Sequence, residues 1–532
     1  MNKRRLSNTF ITPILLFWHT HQTAVILTFF LVIAFAIRLW GIGFGLPNLE
    51  HPDEDAVLMP AITIIKTGNL EPIRMEYGTL HIYLLTLVSV IVYLYSARNG
   101  LYQSPEQLGI FERGSYPAVY AHPEFFLGAR LLSMILSTAI VLVVYMLATR
   151  LGNKRQGLVA AGITAVLPDL VKHAHFATTD ITLTFFSALS LYLLLRAYDN
   201  WETDSMWAYA GAAFVSGLTA STKLNGVVLI IPLLLIPILK AKSLDEILSM
   251  RVLSGPISMA LGFLTGTPYA ILNIPKFLYW SGYAFRLYNA PQTELAQPSW
   301  QWHLDYHATS PNAIIFFLGL AGFVLSLRLW GKRGLIINSF AVFLWLAIVT
   351  QTSRQARMWL PTAPVFVLWA TLLLDFGWQQ LKDRQLFSKW QLYLMPTLSI
   401  LLFTFLLYNS VIISNIFYQD DVRTRTQHWI EQNIPSGSKI AVEYFAPNLN
   451  TNTWSVTKLF HLYDQEMAWY QEQSFDYLVA SEAGNNPTQI PTEEYAKRNE
   501  LLEQACLIET FEGPFLSAES RMFWVYQVPP CD

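Results

Sequence analysis

The chain has 532 residues, of which 53% are hydrophobic and only 14% charged, against roughly 25% charge in soluble domains. A soluble domain could not hide that much apolar surface, and a formal net charge of −2 excludes the concentrated basic footprint that nucleic acid requires. The chain therefore reads as membrane-embedded, and its 17 Trp suit positions at the membrane interface.

Lys3, Arg4 and Arg5 precede an apolar run from 23 to 41. The run is longer than a signal-peptide core and has no small-residue cleavage site, so it reads as a retained first span. Stretches near the length of about 20 residues needed to span recur near 125–148, 157–174, 181–197, 207–222, 226–240, 252–272, 312–328, 334–351, 357–375 and 391–416. With these eleven spans, Arg150/Lys154/Arg155, Lys240/Lys242/Arg251, Arg328/Lys332/Arg333 and Lys382/Arg384/Lys389 share the side of the N-terminus. That satisfies the positive-inside rule with a cytoplasmic N-terminus. The connection at 198–206 has little basic character and fixes nothing. Residues 79–96 are apolar enough to span, but one extra crossing would put every later basic loop outside. They are expected to lie in the interface, re-enter, or cross with a partner, which would raise the count to thirteen.

From Phe417 the composition turns polar. Arg423–Ile434 has the pattern of an amphipathic helix, closed by Pro435-Ser436-Gly437, and Lys439–Val442 and Phe475–Ala480 read as strands. The expected architecture is mainly α: a polytopic transmembrane bundle over 1–416 with an outer loop at 42–124, followed by an extracytoplasmic α/β domain over 417–532. Cys506 and Cys531 both fall in that tail, and two thiols are too few for a thiolate metal site. They pair if the tail is outside the cytosol, and two unpaired thiols are the equal alternative.

Charged residues in the outward-facing turns carry the functional signal. The first outer loop begins Gly45-Leu46-Pro47-Asn48-Leu49-Glu50-His51-Pro52-Asp53-Glu54-Asp55. Adjacent carboxylates can bind a cation or share general-base work, although Pro52-Asp53-Glu54 is also a helix start. Asp180 ends His173-Ala174-His175-Phe176-Ala177-Thr178-Thr179-Asp180, where a helix N-cap is the competing explanation. Lys223 sits between two apolar spans, where a snorkelling lysine is the alternative. Arg354 and Arg357 face outward against the positive-inside trend, and a phosphate partner would account for them. The aromatics Tyr279, Trp280, Trp300, Trp302 and Tyr306 fit an interfacial belt better than a sugar-stacking platform.

In order, these segments resemble the GT-C superfamily of membrane glycosyltransferases. The resemblance is nearest to the protein-O-mannosyltransferase and aminoarabinose-transferase-like branch that uses polyprenyl-phosphate sugars. It rests on Arg38-Leu39, His51-Pro52-Asp53-Glu54, Tyr77-Gly78-Thr79-Leu80-His81-Ile82-Tyr83, Gly128-Ala129-Arg130-Leu131-Leu132-Ser133, the Asp180 and Thr222-Lys223 turns, Gly266-Thr267-Pro268-Tyr269 and Arg357-Met358-Trp359-Leu360-Pro361. Each motif is weak alone; their succession covers nearly the whole chain. The resemblance implies Asp53 as catalytic base with Glu54 supporting it, Asp180 as a second active-site acid, and Lys223 and Arg357 holding the donor phosphate, with Arg354 beside them. A divalent metal, where the reaction uses one, would fall to Glu54, His51 and His175. The implied partners are a polyprenyl-phosphate sugar and a lipid, glycan or protein acceptor. The competing classes are a lipid or sugar flippase, an oligosaccharide ligase of the same architecture, and a non-catalytic scaffold.

Overall fold

In the computed structural model, residues 5–46, 51–109, 122–289, 298–383, 393–443, 446–447, 449–482, 492–513 and 522–531 are described. Lys3, Arg4, Pro47 to Glu50, Arg384 and Lys389 lie outside them. Helices follow the apolar runs: α1 (Arg5–Leu39), α2 (Pro52–Thr67), α3 (Leu80–Arg98), α4 (Pro123–Leu151), α5 (Lys154–Ala165), α6 (Pro168–Ala174), α7 (Thr179–Asp199), α8 (Met206–Thr222), α9 (Ile230–Lys240), α10 (Met250–Gly266), α11 (Ile274–Asn289), α12 (Ser299–Thr309), α13 (Ala313–Leu329), α14 (Gly331–Val349), α15 (Ala363–Asp383) and α16 (Leu394–Tyr418). Among the described residues, eight helices are long and apolar enough to cross a membrane, or ten if each of two bent pairs counts as one span. The segments expected at 207–222 and 226–240 form the short helices α8 and α9.

The bend between α5 and α6, 52°, has a local cause. Pro168 supplies no N–H and cannot continue the helix before it. The carbonyls near the break instead receive Arg38, whose guanidinium donates to Ala165 O at 2.7 Å and Thr164 O at 3.4 Å, and through Nε to Ser137 Oγ at 2.8 Å. A fully buried arginine at membrane depth is thereby satisfied largely by backbone, as polar groups without water must be.

The ambiguous segment, α3, is tied at both ends to segments far away in sequence. At its start Thr79 Oγ1 donates to Gly266 O at 2.6 Å, at the end of α10. Just past its end, Tyr102 bonds His122 at 2.5 Å and also Glu124, at the start of α4. Arg130 of α4 donates to Ile42 O and Phe44 O beyond α1. Between these ties α3 presents Leu87, Ile91, Leu94 and Tyr95 outward.

The basic connections gather at the opposite end. Arg150 and Arg333 each reach Asp199 at 2.7 Å, Arg155 pairs with Asp375, and Arg251 donates to Asp204 O at 3.1 Å. The connection at 198–206, which has acids where the other connections have bases, is placed there by these contacts. First and last membrane helices meet at the other end: Ser414 Oγ donates to Ile37 O at 2.6 Å. Gly41, at φ +85°, lies so close to Phe417 that a Cβ would come within 2.8 Å of its backbone.

Past Tyr418, the Asp421 side chain caps α17 (Val422–Asn433) by accepting from Arg423 N at 2.8 Å. Strands β1 (Lys439–Glu443), β2 (Ser455–Leu459), β3 (Tyr477–Ser481), β4 (Cys506–Glu512) and β5 (Met522–Gln527) form one sheet in the order β2-β1-β3-β5-β4. The β2, β1 and β3 strands are parallel, while β5 runs antiparallel to β3 and β4. A disulfide joins Cys506 to Cys531.

Candidate functional site

The acidic cluster is both a helix start and a piece of a charged centre. His51 caps α2, its Nδ1 accepting from Asp53 N at 3.2 Å. Pro52 is pre-set for the first turn, and Asp53, Glu54 and Asp55 sit at the positive end of the helix dipole. Burial, with the Arg357 charge added, depresses His51 to about 4, so its ring is neutral and free to accept.

Asp53 pairs with Arg357. The Arg357 Nε lies 3.8 Å from Asp180 Oδ2, and Lys223 Nζ lies 3.0 Å from Asp180 Oδ1. Two acids and two cations, from four turns far apart in sequence, thus form one alternating array. Burial pushes the Asp53 carboxyl up, but the adjacent Arg357 guanidinium outweighs it and holds the group below its ordinary value. Asp53, Asp180, Lys223, Arg357 and Tyr77 line a small common cavity. An adjoining cavity of about 120 Å³ shares Tyr77 and Lys223 and runs to Asn225, Phe285 and Tyr288. Phe285 and Leu278 of α11 are exposed, so this side is framed by outward-facing apolar groups.

Three sequence expectations are corrected. Glu54 does not face this cavity beside Asp53. It is fully buried, held at both oxygens by Arg130 at 2.8 and 2.7 Å, and accepts Ala177 N at 2.8 Å. One residue along a helix turns the side chain by about 100°, so neighbours in sequence face different partners. The metal set of Glu54, His51 and His175 fails for the same reason. The His175 nitrogens engage Val171 O at 2.8 Å and Trp40 O at 3.0 Å, and His51 Nδ1 serves as the cap. Among the described residues no group of three or more His, Cys, Asp or Glu is arranged to hold a metal. Arg354 is not among the residues lining the cavity that Asp53, Asp180, Lys223 and Arg357 share.

Several contributing residues gave little signal. The rings of Tyr77 and Tyr288 stand 5.3 and 5.7 Å from Lys223 Nζ. Tyr77 is brought in by a close backbone approach: a Cβ at Gly78 would come within 1.9 Å of Ser221 O, which explains the glycine. Asp169, just past the proline break, accepts from Trp359 Nε1 and Tyr306 OH, both at 2.7 Å. Trp359 lies in the 3-10 turn Ala356–Thr362 that carries Arg357. Tyr306, expected as part of an aromatic belt, is thus tied to a carboxylate. A buried acid beside a proline in an apolar run was the available signal for Asp169.

The family model described as dolichyl-phosphate-mannose-protein mannosyltransferase matches residues 124–271, the stretch from α4 to just past α10 that holds Asp180 and Lys223. The archaeal oligosaccharyltransferase AglB from Archaeoglobus fulgidus, solved with an inhibitory peptide and a dolichol-phosphate, superimposes with a TM-score of 0.57 at 12% identity. That likeness covers 95% of this chain and 76% of AglB. The chain has the GT-C fold of these membrane glycosyltransferases. ArnT from Cupriavidus metallidurans, solved bound to undecaprenyl phosphate, is a second GT-C relative in fold. Its TM-score is 0.53 at 13% identity, over 94% of this chain and 98% of ArnT. No curated protein sequence matches the chain.

Proposed function

We propose that this GT-C protein moves a single sugar from a polyprenyl-phosphate donor to an acceptor hydroxyl or amine at the outer membrane face, with inversion. The observation that carries the reading is the array itself: Arg357 and Lys223 stand against Asp53 and Asp180, beside a cavity bordered by exposed apolar groups of α11. Asp53 takes the acceptor proton, the acceptor atom bonds to the anomeric carbon, and the bond from that carbon to the phosphate oxygen breaks. Polyprenyl phosphate leaves, its charge taken by Lys223 and Arg357, which are preorganised at the leaving oxygens. Asp180 holds both cations in place. Glu54 contributes by fixing the loop through Arg130, and no step is assigned to a metal. The site faces the extracytoplasmic side in this reading, supported by the basic connections at the far end and by the disulfide in the tail.

Purified protein in detergent, given radiolabelled polyprenyl-phosphate sugars, is expected to release polyprenyl phosphate and label an acceptor. Asp53→Asn should lower turnover by about 10²–10⁴-fold, the usual range for a general base, with folding intact. Near-normal turnover in that variant removes Asp53 from the role, and lipid translocation without bond cleavage replaces the transferase reading with a flippase.

A further inference from the structure

We propose that donor binding and base activation are one event, an exchange of partners at Arg357. The incoming donor phosphate takes the guanidinium from Asp53 and leaves that carboxylate free to receive the acceptor proton. The inference rests on the donor-phosphate reading above and adds an order to it: donor first, acceptor second.

Charge balance is the first argument. Asp53, Asp180, Lys223 and Arg357 sum to zero, and each cation is already engaged by a carboxylate. A phosphodiester brings one more negative charge into a buried site, where an uncompensated charge is costly. It can be held well only if a cation changes partner. The second argument is which pair yields. Lys223 and Asp180 are enclosed, with side-chain exposures of 6% and 3%. Asp53 is the most open member at 24%; it lies at the outer rim, and the α2 dipole continues to stabilise its charge once Arg357 departs. Arg357 Nε donates to Gln355 Oε1 at 3.0 Å, a contact that does not involve Asp53 and can keep the guanidinium at the site when Asp53 is given up. The third argument is chemical. While Arg357 sits on Asp53 the carboxylate is held below its ordinary basicity and its lone pairs are occupied. Removing the cation improves it as a base at the moment a sugar donor is in place.

The test is equilibrium binding of undecaprenyl phosphate, which has no sugar to transfer, to the full-length protein in detergent. Wild type, Asp53→Asn, Arg357→Gln and the double variant are compared, with Asp53→Ser as a second form should the amide fold poorly. Because Asp53 competes for the guanidinium, Asp53→Asn is expected to bind the lipid about threefold to tenfold more tightly than wild type, a coupling of ordinary size between contacting groups. Arg357→Gln should bind more weakly, and adding Asp53→Asn to it should change nothing. Equal or weaker binding by Asp53→Asn overturns the exchange. So does undiminished tightening in the Arg357→Gln background, which would report through-space charge alone. Sugar transfer by wild type is assayed alongside. An intact cycle without transfer defeats the glycosyltransferase reading and leaves the exchange standing; a wild type that binds no polyprenyl phosphate overturns both.

Discussion

The two ends of the membrane bundle both carry paired acids and bases, yet they solve different problems. At the basic end Arg333 and Arg155 are 46% and 41% exposed, Asp199 serves two arginines, and the pairs sit where water reaches the cations. Such contacts contribute little individually and serve mainly to tie the connections of that end together. At the other end the Glu54–Arg130 pair is fully buried, and the Asp53–Arg357–Asp180–Lys223 array is nearly so. Burying charge there costs desolvation that the pairing only partly offsets. A chain that could have placed leucines in those turns has kept ions in them, which is the physical reason for locating chemistry at this end.

Substitutions can break that contrast in order of expected effect. Glu54→Gln leaves the Arg130 guanidinium buried without its counter-charge and is expected to cost about 3–5 kcal/mol, as for other broken buried pairs. The measurement is thermal unfolding in detergent, and a Tm within a degree of wild type would show that water reaches the pair after all. Trp359→Phe keeps the aromatic bulk but removes the N–H that Asp169 accepts, for an expected loss of about 1–3 kcal/mol from the unsatisfied carboxylate. Because the turn that carries Arg357 is loosened, donor KM should rise as well. A change confined to Tm would make Asp169 a fold residue and nothing more. Arg333→Gln should shift stability by less than about 1 kcal/mol, since Asp199 keeps Arg150, and should leave transfer unchanged. A large loss there would erase the distinction between the ends.

How much of this was legible in the sequence depended on whether a residue's setting was local. Asp53, Asp180, Lys223 and Arg357 stand at turns between apolar runs, so charge against a hydrophobic background marks them, and the structure brings all four together. Helix α17 and strands β1 and β3 lie within two residues of their expected bounds because period and turn residues are local signals. The membrane-crossing count was harder. Length and composition alone pass α3 as a span, while its position follows from bonds at Thr79 and Tyr102 to distant segments. Partner choice was not legible at all. Glu54 adjoins Asp53 in sequence yet faces Arg130, and Asp169 looked like part of an apolar helix until Trp359 and Tyr306 converged on it from 190 and 137 residues away.

The contact between Gly41 and Phe417 has a consequence for assembly. Helices α1 and α16, far apart in sequence, close one seam, and Phe417 also stacks on His175 at 4.3 Å and meets Phe44 and Phe176. Until α16 has inserted, the outer end beneath Asp53 lacks one wall and faces lipid. The charged array of a ribosome-bound chain would thus gain this wall late, after most of the bundle has been made.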